Sequence, residues 1–453
     1  MTQVAEQSDE APPLAFERRT RRRLSKFGQA TTAMVILSSL ADACNYGSSL
    51  IFSHMLSAGA YGDLTALLAL TTIVAVPTGA AQTVIAERVA VLTAKGDDDR
   101  LRYLIRYASA HALTLATIVG VIYIACIPVM KSTLGLQNIG PALAMLPLVV
   151  LAVLIPVFYG VLQGMERFIV LGTLTLVVAA SRIVFGVPWV LANGGAGGPL
   201  FGQALGTMVA IIAALVVLRG YLLRRGTGAA ASGLRRIPDR RTLAAAGAFV
   251  GFALLSNLDV LLAKLYLAPH AAGEYAALVT VEKAIIFLPS AVAIVLVPAA
   301  AKARAEDGSS ARVLRLSALL VAGTLLISAI PPLVAPHLLL RIMFGAKYQA
   351  AAAGLRPITA AGAALSLLYL LVVYTVAIQD RRWGRLLLGG VLIQVAAIAL
   401  FHNSPTQIAW AQGVAITVIL GLNEVFYHPL LRSERWFFGR LRGAEAEPPP
   451  DER

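Results

Sequence analysis

From residue 29 to residue 428 the chain is a succession of long apolar runs joined by short polar or basic connections. The runs are about 20 to 25 residues long, enough for an α-helix to cross a hydrocarbon core of about 30 Å. They are continuously apolar rather than alternating. They therefore read as helices, which satisfy their backbone hydrogen bonds internally, and not as strands of a barrel. The pattern predicts helices over 29–54, 62–86, 105–129, 141–163, 168–192, 198–223, 242–268, 271–300, 313–335, 351–378, 384–402 and 405–428. The expected fold class is all-α, a polytopic membrane protein with about twelve transmembrane helices in two six-helix lobes.

The division into lobes comes from the connection RRGTGAAASGLRRIPDRR, which leaves six predicted helices on either side. It implies a basic tail (1–28), an N-terminal lobe (29–223), a basic linker (224–241), a C-terminal lobe (242–428) and a second tail (429–453). The lobes resemble each other as a direct repeat. Gly62-Asp63 aligns with Gly273-Glu274 at an offset of 211, and Pro77 aligns with Pro289 at 212. An even number of helices restores the starting side, so the halves share one orientation. Two parallel bundles around a midplane cavity follow as the expected architecture.

Charge then sets the orientation. A net charge of +14 could suit nucleic acid, but with 58% hydrophobic residues there is no soluble domain to carry a basic face, so no nucleic-acid partner is expected. Counted by side of the membrane, thirty Lys and Arg fall on one side, and Lys131, Arg341 and Lys347 on the other. The positive-inside rule places both termini in the cytoplasm and the chain as a multi-pass protein of the cell membrane. Arg18, Arg19, Arg21, Arg22 and Arg23 precede a first span too long for a cleaved signal core, which reads as an uncleaved anchor. Cys44 and Cys126 fall within predicted helices and read as packed thiols without a disulfide. No GxxxxGK[ST] loop occurs and the external connections are short, so an enzyme is not expected, nor is a cofactor or a metal site.

An ionisable residue at the centre of a span costs about 2.5–3.5 kcal/mol on insertion scales, so each needs a partner, a wet cavity or a role. Asp42, Arg182, Asp259, Glu282 and Lys283 lie several turns from either predicted surface. Arg106, Lys264, Arg356 and Glu424 lie within about two turns of one, where long side chains snorkel. Asn45, Tyr46 and Ser48 make the first span unusually polar around Asp42, and Asn257 does the same beside Asp259. A structural reading competes throughout: Arg182 could pair with Asp42, and Lys283 with Asp259, tying helices together. Gly198, Gly202 and Gly206 predict a closely packed face on the sixth helix. Trp189, Trp383 and Trp410 read as interfacial belt residues.

AGAYGDL and AAGEYAAL after the first helix of each half, LPSAVAIVLVPAAAK closing the eighth helix, and IMFGAKYQAAAAGLRPI before the tenth resemble the polysaccharide-exporter branch of the multidrug/oligosaccharidyl-lipid/polysaccharide (MOP) flippase superfamily. The resemblance covers roughly residues 28–428. It implies a two-lobed secondary transporter moving a lipid-linked sugar precursor across the membrane, in contact with membrane lipids and with polysaccharide-assembly enzymes. The negative diphosphate of such a substrate suits Arg182 and Lys283, one in each half, with Asp259, Glu282 and Asn257 as further substrate-binding candidates. Drug-extruding members carry a first-helix carboxylate associated with ion coupling. Asp42 resembles it in position, with Asn45 as its neighbour. Two alternatives stay open, a cation-coupled exporter of small molecules and a transport-inactive scaffold.

The charge asymmetry makes a direct prediction. In a chain whose Cys44 and Cys126 are replaced by Ser, cysteines at Lys131, Lys347 and within 194–198 react with impermeant thiol reagents in intact cells, while one at Ser232 does not. Labelling at Ser232, or protection of the other sites, reverses the orientation.

Overall fold

The computed structural model describes residues 15–136, 138–223, 240–286, 310–377 and 383–427. Among them every regular element is a helix. In chain order these are α1 (Ala15–Met55), α2 (Ala58–Lys95), α3 (Asp98–Thr133), α4 (Gly140–Gly164), α5 (Phe168–Asn193), α6 (Gly197–Leu223), α7 (Arg240–Leu255) and α8 (Leu258–Tyr266). Then come α9 (269–286), α10 (Ser310–Val334), α11 (Pro336–Phe344), a 3-10 turn (Ala346–Gly354), α12 (Leu355–Ala377), α13 (Trp383–Leu400) and α14 (Pro405–Tyr427). Eleven spans among the described residues are long and apolar enough to cross a membrane. The eighth predicted span begins as α9. Its remainder lies outside the described residues, as do Pro289, linker residues 224–239 and the C-terminal tail.

Three helices run well past their predicted ends. α1 has 41 residues, beginning at Ala15 inside the stretch expected to be a tail, α2 has 38 and α3 has 36, against about 20 needed to span. Nothing between 86 and 95 breaks a helix, so α2 continues until Gly96 takes φ 66° and its N–H closes on Leu92 and Thr93 carbonyls. The next residue but one already belongs to α3. Asp97 caps it by accepting from the Arg100 N–H, and Asp98 and Asp99 sit at the positive end of its dipole.

The seventh predicted span, 242–268, is broken. α7 stops at Leu255 and α8 starts at Leu258, with Asn257 at φ −140°. The Asn257 side chain donates from Nδ2 to the Ala253 carbonyl at 3.0 Å, the kind of local bond that competes with the helical ladder. The Leu255 carbonyl freed by the break accepts from Gln394 Nε2 at 3.0 Å, so the interruption is satisfied by protein. Two further expectations change. Trp383 is among the largest fully buried side chains instead of an interfacial belt residue, while Trp189 and Trp410 are exposed. Cys126 is exposed rather than packed, and both thiols are free.

The helices before the linker pack on one another, chiefly α5 on α6, α2 on α4 and α1 on α5. Those after it do so through α12, α13 and α14, with α7 against α13. Among the described residues the two sets share one apolar core at the end of the bundle where α1 finishes and α2 begins, the end expected to face outside. There Phe52, Tyr61, Tyr275, Phe344 and Tyr348 belong to a single cluster. At the opposite ends of α2 to α6, Val89, Leu104, Val161 and Leu218 form a separate cluster, to which no described residue beyond the linker contributes.

The repeat explains how the shared end closes. A Cβ on Gly62 would meet Gly273 N at 3.0 Å, and one on Gly273 would meet the Ala58 carbonyl oxygen at 2.0 Å, so α2 and α9 cross backbone to backbone at their aligned glycines. Beside the crossing, Lys264 Nζ lies 2.6 Å from Asp63 Oδ1, with both side chains almost wholly buried. Lys264 is therefore an inter-half ion-pair partner and does not snorkel. The compactness of the glycine crossing draws α8 close enough to α2 to enclose it. Tyr61 and Thr280 hydroxyls bond at 2.7 Å, and Lys347 Nζ donates to the Leu56 and His54 carbonyls at 2.5 and 3.3 Å, a cation on the C-terminal end of α1.

Removing one member of a buried ion pair costs about 3–5 kcal/mol because it strands the other, whereas replacing both with apolar groups is close to neutral. Lys264→Met or Asp63→Leu alone should lower the thermal midpoint of the purified protein strongly, and the double variant should recover most of the loss. Equal losses in the singles and the double would mean that the pair adds nothing beyond packing.

Candidate functional site

On the far side of this closure lies a cavity of about 690 Å³ between the halves. Its walls follow from helical periodicity. On α1, Asp42, Asn45, Tyr46 and Ser49 recur every three or four residues and form one stripe; on α2, Thr65, Leu68, Thr71, Thr72 and Ala75 form the facing one. The α2 hydroxyls are satisfied within their own helix, Thr65 by the Tyr61 carbonyl and Thr71 by that of Leu67, both at 2.9 Å. Arg182 and Gln203 close the N-terminal side, and Thr280, Lys283 and Ala284 the other.

Arg182 is placed by the glycine face of α6. A Cβ on Gly202 would stand 2.8 Å from Gly186 N and 2.9 Å from the Ser181 carbonyl, so α5 and α6 lie nearly in backbone contact. That proximity brings Gln203 beside Arg182, and Gln203 Oε1 accepts from Arg182 Nη2 at 2.5 Å and Nε at 3.1 Å. Arg182 Nη1 donates to Ser48 Oγ at 3.3 Å, and Ser48 Oγ itself donates to the Asn45 carbonyl. The guanidinium is held at both edges, and neither holder is charged. Lys283 reaches the cavity from α9, where its Nζ donates to Asn257 Oδ1 at 3.3 Å. Among the described residues no ion pair joins Arg182 to Asp42 or Lys283 to Asp259.

The expected site residues thus separate into two groups. Asp42, Asn45, Arg182 and Lys283 line one cavity. Asn257, Asp259 and Glu282 do not line it, although they were expected to bind substrate. Glu282 and Lys283 are consecutive on a helix and point about 100° apart, so when Lys283 faces the cavity Glu282 is turned into the half. Asp259, in the first turn of α8, is fully buried; its Oδ2 accepts from the Tyr275 hydroxyl at 2.8 Å, and that hydroxyl also lies 2.9 Å from Gln412 Oε1. Asp259 Oδ1, both Glu282 carboxylate oxygens and Gln394 Oε1 are buried without a hydrogen-bond partner in the protein. Asn257 links the groups by holding Lys283.

Attention to ionisable residues alone misses Gln203, Gln394 and Gln412. A carboxamide inside an apolar run is itself a signal, since it needs several hydrogen bonds that lipid does not supply. Among the described residues no group of three or more His, Cys, Asp or Glu side chains is arranged to hold a metal ion.

No protein-family model and no curated sequence matches the chain. Solved structures do. A multidrug-resistance MATE transporter of the MOP superfamily in an inward-facing conformation superposes with a TM-score of 0.66 at 13% identity, covering 90% of this chain and 96% of that one. The lipid II flippase MurJ in an inward closed conformation gives 0.65 at 13% identity, covering 89% and 87%. A MOP superfamily transporter from Pyrococcus furiosus, described as having a binding pocket of reverse polarity, gives 0.56 at 18% identity, covering 89% and 96%. Over nine-tenths of its length or nearly so, with its halves joined at one end and a cavity between them, this chain has the fold shared by transporters and flippases of the MOP superfamily.

Proposed function

We propose that the chain is a flippase for an anionic lipid-linked sugar precursor, working by alternating access of its two halves, with both termini in the cytoplasm. The observation that carries this reading is the charge of the cavity. Arg182 and Lys283, from opposite halves, face one space whose lining holds a single acid, Asp42, and among the described residues no ion pair joins either cation to a carboxylate, although Asp259 and Glu282 stand close behind Lys283. Arg forks onto phosphate oxygens and Lys adds a point charge, so a diphosphate entering between them touches both halves at once. The volume lies within the range of about 300–1,000 Å³ that encloses drug-sized ligands, which suits a diphosphate and its first sugars while the polyprenyl chain stays in lipid. An open interlobe space also speaks against a scaffold. The Pyrococcus transporter, whose reversed pocket polarity is described as suggesting a different function, supports reading function from the charge of the pocket.

A second reading, a cation-coupled exporter of small molecules, draws on the acids. Asp42 stands on the cavity wall with Asn45 one turn away, and Asp259 and Glu282 offer unpartnered carboxylate oxygens behind Lys283. The two readings share a mechanism and differ in cargo.

Flipping of a fluorescent polyprenyl-diphosphate sugar in proteoliposomes tests both. Arg182→Ala and Lys283→Ala should each abolish it at normal protein level. Asp42→Asn should insert and fold but lose dependence on an imposed ion gradient. Full flipping in either alanine variant removes the anionic cargo. Unchanged gradient dependence in Asp42→Asn leaves Asp42 a wall residue.

A further inference from the structure

This chain holds the cations between its halves in two different ways. Lys264, at the crossing of the halves, is matched by a carboxylate at 2.6 Å. Arg182 and Lys283, in the cavity, are matched by carboxamide oxygens, Gln203 Oε1 and Asn257 Oδ1. The difference does not come from a shortage of acids. Asp42 lines the same cavity as both cations, and the carboxylates of Glu282 and Asp259 stand near enough to Lys283 to act on its charge without forming an ion pair with it.

A carboxamide oxygen and a carboxylate oxygen accept the same N–H groups with nearly the same shape, but only the second cancels charge. At Arg182 the amide takes up the Nε and Nη2 edge of the guanidinium and Ser48 takes Nη1, which fixes the plane of the group while leaving its full positive charge in a space of low dielectric. At Lys283 the holder sits in the break between α7 and α8. There the chain is already out of helical register, and the Asn257 side chain spans from the Ala253 carbonyl to the ammonium. A carboxylate in either place would compete with a ligand's phosphate for the same donors.

We propose that Gln203 and Asn257 are the specificity-determining residues of the cavity: each positions a cationic side chain through a neutral oxygen, and their neutrality makes the space selective for anionic amphiphiles over cationic ones. The proposal rests on the anionic-cargo reading above and assigns its selectivity to residues that carry no charge. Gln203 binds through Arg182 and is a positioning residue; its isosteric acid, at unchanged shape, converts the cation into an ion pair and removes the preference.

The test compares two amphiphiles of opposite charge, farnesyl diphosphate and tetraphenylphosphonium, bound to the full chain in neutral-lipid nanodiscs with empty discs subtracted. The wild type should retain the diphosphate preferentially. In Gln203→Glu, diphosphate affinity should fall by about ten- to a hundredfold, the range of one charge-assisted contact, while phosphonium binding holds or rises. Asn257→Asp should act alike. Gln203→Met, which removes the acceptor but adds no charge, should lose only a few-fold for the diphosphate and keep its preference, a split that a general packing defect would not produce. A folded Gln203→Glu protein with the wild-type ratio overturns the assignment of Gln203, and the same result in Asn257→Asp overturns the whole proposal. If Gln203→Glu does not fold, the Asn257→Asp and Gln203→Met ratios decide. A wild type that prefers the phosphonium overturns the anionic cargo itself, a result distinct from the others because it precedes any substitution.

Discussion

Hydrocarbon offers no hydrogen bond, and that single condition governs the interior of this chain. Hydroxyls at Thr65, Thr71, Thr72 and Thr359 turn back onto the carbonyl four residues earlier. The interruption between α7 and α8 is tolerated because Gln394 takes the carbonyl it frees. Lys264 is buried because Asp63 is there to meet it. Where the condition is left unmet, the atoms fall in both halves, Ser109 Oγ and Tyr159 Oη in the first and Asp259 Oδ1, both Glu282 carboxylate oxygens and Gln394 Oε1 in the second.

The same condition bears on how the halves are joined. A core of aromatic and aliphatic side chains runs across both at one end, and at the other the N-terminal half has its own. An ion pair in the joined end is poorly rewarded while buried, because its attraction is offset by lost hydration, and both ions would regain that hydration if the interface parted into water. A seam of this composition can hold a definite register without making separation prohibitive. Lys347 on the carbonyl end of α1 is of the same kind, a charged contact that water can replace.

Much of this was legible in the residues. Continuous apolar runs gave the helices because nothing but a helix suits them, and the placement of Asp42, Asn45, Arg182 and Lys283 at one depth followed from counting turns. What escaped was decided by phase and by neutral groups. Depth along a span does not say which way a side chain faces, so Glu282 and Lys283 could not be separated, and Lys264 seemed near enough to a surface to reach it. The break at Asn257 depends on Gln394, more than a hundred residues away, and no local pattern announces it. Trp383 was misjudged for a related reason: its position near a predicted helix end fits an interfacial ring, but the helices around it leave it no contact with lipid.

The glycine crossing has one more consequence. Gly62 and Gly273 are counterparts in the two repeats, and they meet each other. A protein made of one half alone, paired with its own copy, would place this residue on the two-fold axis against its mate, and there any side chain would be doubled at the point of closest approach. In a single polypeptide the two copies need not match. The neighbouring acids do differ in partner, Asp63 meeting a lysine of the other half while Glu274 faces His270 on its own helix. Neither glycine has room for a side chain, because a Cβ on Gly62 would meet Gly273 itself and one on Gly273 would meet the backbone of Ala58, one turn before Gly62.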